Sequence, residues 1–212
     1  MVSPQQSFSK FLNTRKLHPV ALENQDEQVR VFFVADDMQF DITDHHALIS
    51  LKPFAIAVNR AVARHSSSGK QVLRIQQREK ILGELKLKHQ ADQQFEGLTI
   101  SLYVAELSRN SMSYTDQFWN TLLLVIKNKT NRKSRNFVVP PAELLKLFVY
   151  SLKPRPVFLV SVTHKNGFDI FPVDILGKIS EAHILFGIRT SSPAVSFILS
   201  EKKVCVSSVP FD

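Results

Sequence analysis

Residues 189–200, Arg-Thr-Ser-Ser-Pro-Ala-Val-Ser-Phe-Ile-Leu-Ser, hold the densest set of side chains suited to an anion. They follow the strand-like run His183-Ile184-Leu185-Phe186-Gly187-Ile188. Ser192 is a favoured helix N-cap residue, and Pro193 a favoured first helical residue. Ala194, Val195, Ile198 and Leu199 then share one apolar stripe, so the spacing predicts a short helix beginning at Pro193. Its first turn would leave the Ala194 and Val195 amides without helical partners, at the positive end of the helix dipole. With Arg189, Thr190, Ser191 and Ser192 on the approach, these groups make a phosphate cradle. An ordinary capped helix with a surface arginine has the same spacing.

Other combinations are weaker. Asp41, Asp44, His45 and His46 invite a metal, but adjacent residues on a strand point to opposite faces, so the two histidines serve a turn and a strand. The expectation is no metal site. There is no nucleophile elbow, P-loop or dinucleotide fingerprint, and six glycines are few for a dinucleotide fold. The single cysteine, Cys205, excludes an internal disulfide and is expected to be buried between Val204 and Val206.

The elements around these residues fall into three textures. Residues 28–106 alternate as strands: 29–34, 38–43, 47–51, 54–58, 71–77, 84–90 and 98–107. Asp36-Asp37 makes a turn, and Lys52-Pro53 and Ile81-Leu82-Gly83 make breaks, so the region reads as an antiparallel meander. Residues 113–152 change period. Ser113 and Asp116 cap a first helix carrying Phe118, Leu122, Val125 and Ile126, with Trp119 as packing. A basic loop at 127–135 follows. Pro140-Pro141 starts a second helix with Leu144, Leu145, Phe148 and Leu152 on its stripe. Beyond Pro156, strand 157–163 turns at Asn166-Gly167 into 168–171. Pro172 stops the pairing, and an irregular stretch, 173–182, leads to strand 183–189. A last strand covers 203–209. Expected domains are a β-rich module at 1–112, a helical connector at 113–155 and a further β domain at 156–212.

Composition sets the outer limits. At 44% hydrophobic and 22% charged residues the chain reads as globular, with 212 residues to build a sizeable core. No apolar run approaches a membrane span, and the first residues lack a signal-peptide core, so a cytoplasmic protein is expected. A net charge of +8 suits an anionic partner. The basic run carries no interleaved aromatics to stack bases, which argues against nucleic acid.

The ordered set Arg155-Pro156-Val157, Leu159-Val160-Ser161-Val162, Ile170-Phe171-Pro172 and Arg189-Thr190-Ser191-Ser192-Pro193-Ala194-Val195 resembles the flavin reductase-like, FMN-binding split-barrel family over residues 154–210. The resemblance implies a mostly β, α+β fold with an antiparallel split barrel, and an FMN-dependent oxidoreductase using NAD(P)H as co-substrate. It implies Phe171, Pro172, Val173 and Asp174 along the isoalloxazine edge. It puts Arg189, Thr190, Ser191, Ser192 and the Ala194 amide at the FMN phosphate, and it implies a homodimer. Asp174 stands where many members carry a small hydroxyl residue. The stretch from Pro156 to Asp212 is about half the length that closing a small barrel requires. Either the chain is a fragment, or the strands of 28–106 supply the missing wall, or the site is incomplete and the protein is a non-catalytic flavin-binding or interaction protein with an incomplete barrel. Because the cofactor performs the hydride chemistry, the absence of an acid/base constellation does not bear on activity.

Overall fold

The computed structural model describes residues 29–36, 38–63, 69–95, 97–111, 122, 125–126, 139–153, 158–164, 167–173, 176–188 and 192–208. Seven strands make one antiparallel sheet: β1 (Val29–Ala35), β2 (Met38–Asp41), β3 (His46–Leu51), β4 (Phe54–Asn59), β5 (Gln71–Gln77), β6 (Lys80–Phe95) and β7 (Leu98–Asn110). Their spatial order is β2-β1-β5-β6-β7-β4-β3. It is therefore not a simple meander. Sequence neighbours form hairpins, and the long-range pairs β1–β5 and β4–β7 join them.

Turn chemistry sets the hairpins. Asp36 (φ 49°) and Arg78 (φ 51°) take left-handed backbone at two-residue loops, where Asp is a favoured type and Arg is not. Gly97 (φ 86°) serves the β6–β7 loop, where only glycine is free of strain. Ile81, Leu82 and Gly83 do not break the sheet. They lie within β6, and the pairing shifts by a bulge beside them.

One core gathers residues from every strand of this sheet, among them Val31, Phe33, Leu48, Ile56, Leu73, Leu85 and Tyr103, with Phe40 packed against it. The sheet thus wraps around a common interior. It does not close: β2 and β3 are its two edges and are not paired with each other among the described residues. Helix α1 (Pro141–Tyr150) covers the interior with Val149 and Tyr150. The expected start of this helix at Pro141 holds, and its buried face is Lys146, Val149 and Tyr150. Leu144, Leu145 and Phe148 are only half-buried. Two things turn the helix. Glu143 accepts the Phe54 amide (3.0 Å) and pairs with Lys146 (3.1 Å), which anchors that side. Gly83 leaves the space that Val149 and Leu152 fill, where a Cβ would lie 2.8 and 2.9 Å from their side chains. Of the first expected helix, residues 122, 125 and 126 are helical; Ser113, Asp116, Phe118, Trp119 and the basic run lie outside the described residues.

The remaining described strands build two smaller sheets. β8 (Phe158–His164) pairs with β9 (Gly167–Val173) across the predicted turn, and β12 (Cys205–Ser208) pairs on its other side. Pro172 does not stop the pairing: it sits opposite Leu159 on an edge strand, where a missing N–H is tolerated. The stretch expected to be irregular forms β10 (Leu176–Ser180), which hairpins with β11 (His183–Phe186). Helix α2 (Ala194–Glu201) packs on β8. The fold is mostly antiparallel β with helices, as expected. No helix among the described residues is long and apolar enough to cross a membrane.

Candidate functional site

The β10–β11 hairpin fixes the carboxy-terminal part to the large sheet. All six residues of β4 are buried. Phe54, Ile56 and Val58 enter the main core, whereas Ala57 on the opposite face meets Leu98, Ile100 and Ile179. Burying Ile179 fully contributes roughly 1.5–3 kcal/mol. The Ile179 carbonyl accepts from the Asn59 amide at 2.9 Å and lies 3.3 Å from His45 Nδ1. Gly177 approaches so closely that a Cβ there would lie 2.4 Å from the His46 carbonyl. His46 itself is buried and donates from Nδ1 to the Ile42 carbonyl at 2.7 Å, closing the 42–45 turn. The two histidines therefore do serve a turn and a strand.

The ends of β9 and β11 come together. Val173 pairs with Phe158, and Leu176 with Phe186. Val160, Val173 and Leu176 form one cluster, with Phe158, Phe171, Phe186 and Val206 packed against it. Phe186, which packs against this cluster, precedes Arg189 by three residues in sequence. Phe171 and Val173 pack into the cluster, and Pro172 faces solvent on the opposite side. Asp174, Arg189, Thr190 and Ser191 lie outside the described residues. Ser192 is half-buried, and its carbonyl accepts the Val195 amide at 3.1 Å, so that amide is already committed within the chain. α2 starts at Ala194, one residue later than expected, so that Pro193 rather than Ser192 holds the N-cap position and there is no side-chain cap there. Ala194 is buried, with helical hydrogen bonding beginning beyond its amide. Cys205, expected to be buried, is exposed, because β12 is an edge strand and Cys205 shares the face of Ser161 rather than that of Val160.

Beside the cluster lies a half-open cleft of about 540 Å³. Phe158, Leu176, Ile184 and Val206 supply apolar wall, and Thr43, Lys153, Ser180 and His183 supply polar groups. Lys153 donates to the Thr43 carbonyl at 2.6 Å. Ser180 Oγ and His183 Nδ1 share a hydrogen bond of 2.8 Å across the hairpin turn. Lys178 bonds Glu181 at 2.8 Å and holds its carboxyl below the ordinary range. No residue of the expected flavin site that is described lines this cleft. Ser180 escapes sequence reasoning because 173–182 reads as irregular. Only the hairpin brings Ser180 onto His183, and the one usable signal is a serine and a histidine flanking Glu181-Ala182.

No protein-family model, curated protein or solved structure matches this chain.

Proposed function

We propose that the carboxy-terminal part, built on β8–β12 and α2, binds FMN as a split-barrel-like half and serves an NAD(P)H-dependent flavin oxidoreductase. The observation that carries the reading is the common origin of two segments. Phe171 and Val173, at the end of β9, and Phe186, at the end of β11 three residues before Arg189 in sequence, all pack in the Val160, Val173 and Leu176 cluster. A ring edge and a phosphate of one ligand need such neighbouring starting points.

The donor set fits a phosphate. Arg189 offers a planar charged fork, Thr190, Ser191 and Ser192 offer hydroxyls, and the Ala194 amide adds the helix terminus. The Val195 amide is not part of the set, being used by Ser192. When bound, FMN supplies the hydride-accepting chemistry. The task of this chain is to hold the phosphate, orient the ring against Phe171–Asp174 and exclude water from one ring face. Purified full-length protein mixed with FMN should show a shifted, structured flavin spectrum. Adding NADH or NADPH should bleach it without air and consume nicotinamide continuously with air. An unshifted flavin spectrum at protein excess would defeat the reading.

A second reading, a flavin-binding or interaction protein without turnover, has an observation of its own. The outer face of the three-stranded sheet displays Phe168 (67% exposed), Ile170 (56%) and Leu159 (38%). Such a face suits a protein partner, including a second copy as in the expected homodimer. Stoichiometric FMN binding with no bleaching by either nicotinamide favours this class.

A further inference from the structure

The cleft between the 42–45 turn and the β10–β11 hairpin has a division of labour that the FMN reading does not use. Its apolar wall comes from three separate strands: Phe158 on β8, Ile184 on β11 and Val206 on β12, with Leu176 on β10 beneath. Among its recessed polar groups, Lys153, Ser180 and His183 can donate, while buried His46, which also lines it, spends Nδ1 on the Ile42 carbonyl. Lys153 has a side chain only 19% exposed, and its ammonium is fixed by the Thr43 carbonyl at 2.6 Å and by Asp44 at 3.8 Å. Ser180 and His183 are half-buried on the facing hairpin. The Ala182 amide donates to Ser180 Oγ at 3.3 Å and the imidazole holds it at 2.8 Å, so the hydroxyl is positioned before any ligand arrives.

One rim carboxylate, Asp44, already lies 3.8 Å from the Lys153 ammonium, so a ligand head group would share that cation with it. Asp44 is 68% exposed and Glu181 88% exposed, and Glu181 is engaged by Lys178. Their field is screened by water, while that of the recessed Lys153 is screened much less. A volume of about 540 Å³ falls within the range of small-molecule sites.

We propose that this cleft is a binding site for a small amphipathic carboxylate, its head group at Lys153 and the Ser180–His183 pair and its apolar body against Phe158, Leu176, Ile184 and Val206. Lys153, Ser180 and His183 supply the donors, and each is already partly used, on Thr43 or within the Ser180–His183 bond, which suits the two oxygens of a carboxylate. The site stands apart from the FMN reading, since its wall and its head-group residues are different from those assigned to the flavin. Failure of either reading therefore leaves the other standing.

The test uses the full chain and two fluorescent probes of nearly equal shape, 9-anthracenecarboxylate and neutral 9-anthracenemethanol. The parent should bind the carboxylate more tightly. Lys153→Gln should weaken the carboxylate about tenfold or more while changing the alcohol less than twofold. Lys153→Arg, which keeps the charge, should retain most of the affinity and controls for loss of the Thr43 contact. Ile184→Trp, which fills the cleft from its exposed side, should weaken both probes. Equal losses of both probes in Lys153→Gln, or no loss in either, would overturn the proposal. So would loss of both on Phe168→Ser but not on Ile184→Trp, which would put the probes on the open sheet face.

Discussion

Asn59 on β4 donates its side-chain amide to the main-chain carbonyl of Ile179 on β10 at 2.9 Å, and both residues are buried. This contact joins the seven-stranded sheet to the part of the chain that carries both candidate sites. The Asn59 Oδ1 also accepts the Ala61 amide at 2.9 Å. Asn59→Ala removes both hydrogen bonds from this buried joint, so it should cost about 1–3 kcal/mol. Asn59→Asp should cost more, by setting a carboxylate against a carbonyl. Urea denaturation measures the loss, and amide exchange should show it concentrated in β10 and β11. Uniform exchange across the chain would contradict this joint.

Gly177 makes the same joint sterically. A Cβ would fall 2.4 Å from the His46 carbonyl and 2.7 Å from Ala47 Cα, both backbone atoms that cannot swing away. Gly177→Ala should therefore destabilise by about 1–3 kcal/mol. Gly97→Ala, which meets nothing within 4 Å but has φ 86°, should cost about 1 kcal/mol from backbone strain alone. Thermal melts of the two variants separate the mechanisms. A smaller loss at Gly177 than at Gly97 would mean that the hairpin does not press on β3 as described.

Tyr103 gives the fold an alkaline limit. Burial pushes its phenol up to about 12, against opposing help from the Ser101 hydrogen bond and Arg60. The raised value belongs to the folded state. Above the ordinary tyrosine range the unfolded chain loses this proton and the folded chain keeps it, so stability falls as pH rises from about 10 to 12. The loss attributable to this group is on the order of 2–3 kcal/mol. Tyr103→Phe should remove that part of the pH dependence. Parallel slopes for parent and variant in urea titrations between pH 9 and 11.5 would contradict it.

Much of this fold was legible in the sequence, and the failures have local physical causes. Strand alternation located β1 and β5 almost to the residue, and Asn166-Gly167 located the β8–β9 turn. The β5–β6 turn was hidden because Arg78 adopts left-handed backbone without the glycine or asparagine that advertises it. β10 was hidden because both faces of Leu176–Ser180 carry buried residues and Gly177 mimics a break. The strand order was not legible at all, since β1–β5 and β4–β7 are long-range pairs that no turn encodes. For the candidate sites, residue types at 189–194 were readable as anion chemistry. The cleft was not, because Lys153 and His183 face one space only through the docking of the hairpin.

The FMN reading stands or falls on a paired titration. FMN and riboflavin differ by the phosphate alone, and that group is assigned to Arg189–Ser192. A hydrogen bond to a charged group contributes roughly 1.5–3 kcal/mol, so Arg189→Ala should weaken FMN about tenfold or more. Riboflavin should bind the parent less tightly than FMN and respond little to the change. Calorimetric titration of both flavins into both proteins gives all four constants. Equal losses for FMN and riboflavin in Arg189→Ala, or equal affinities of the parent for the two, would contradict a phosphate site at this turn.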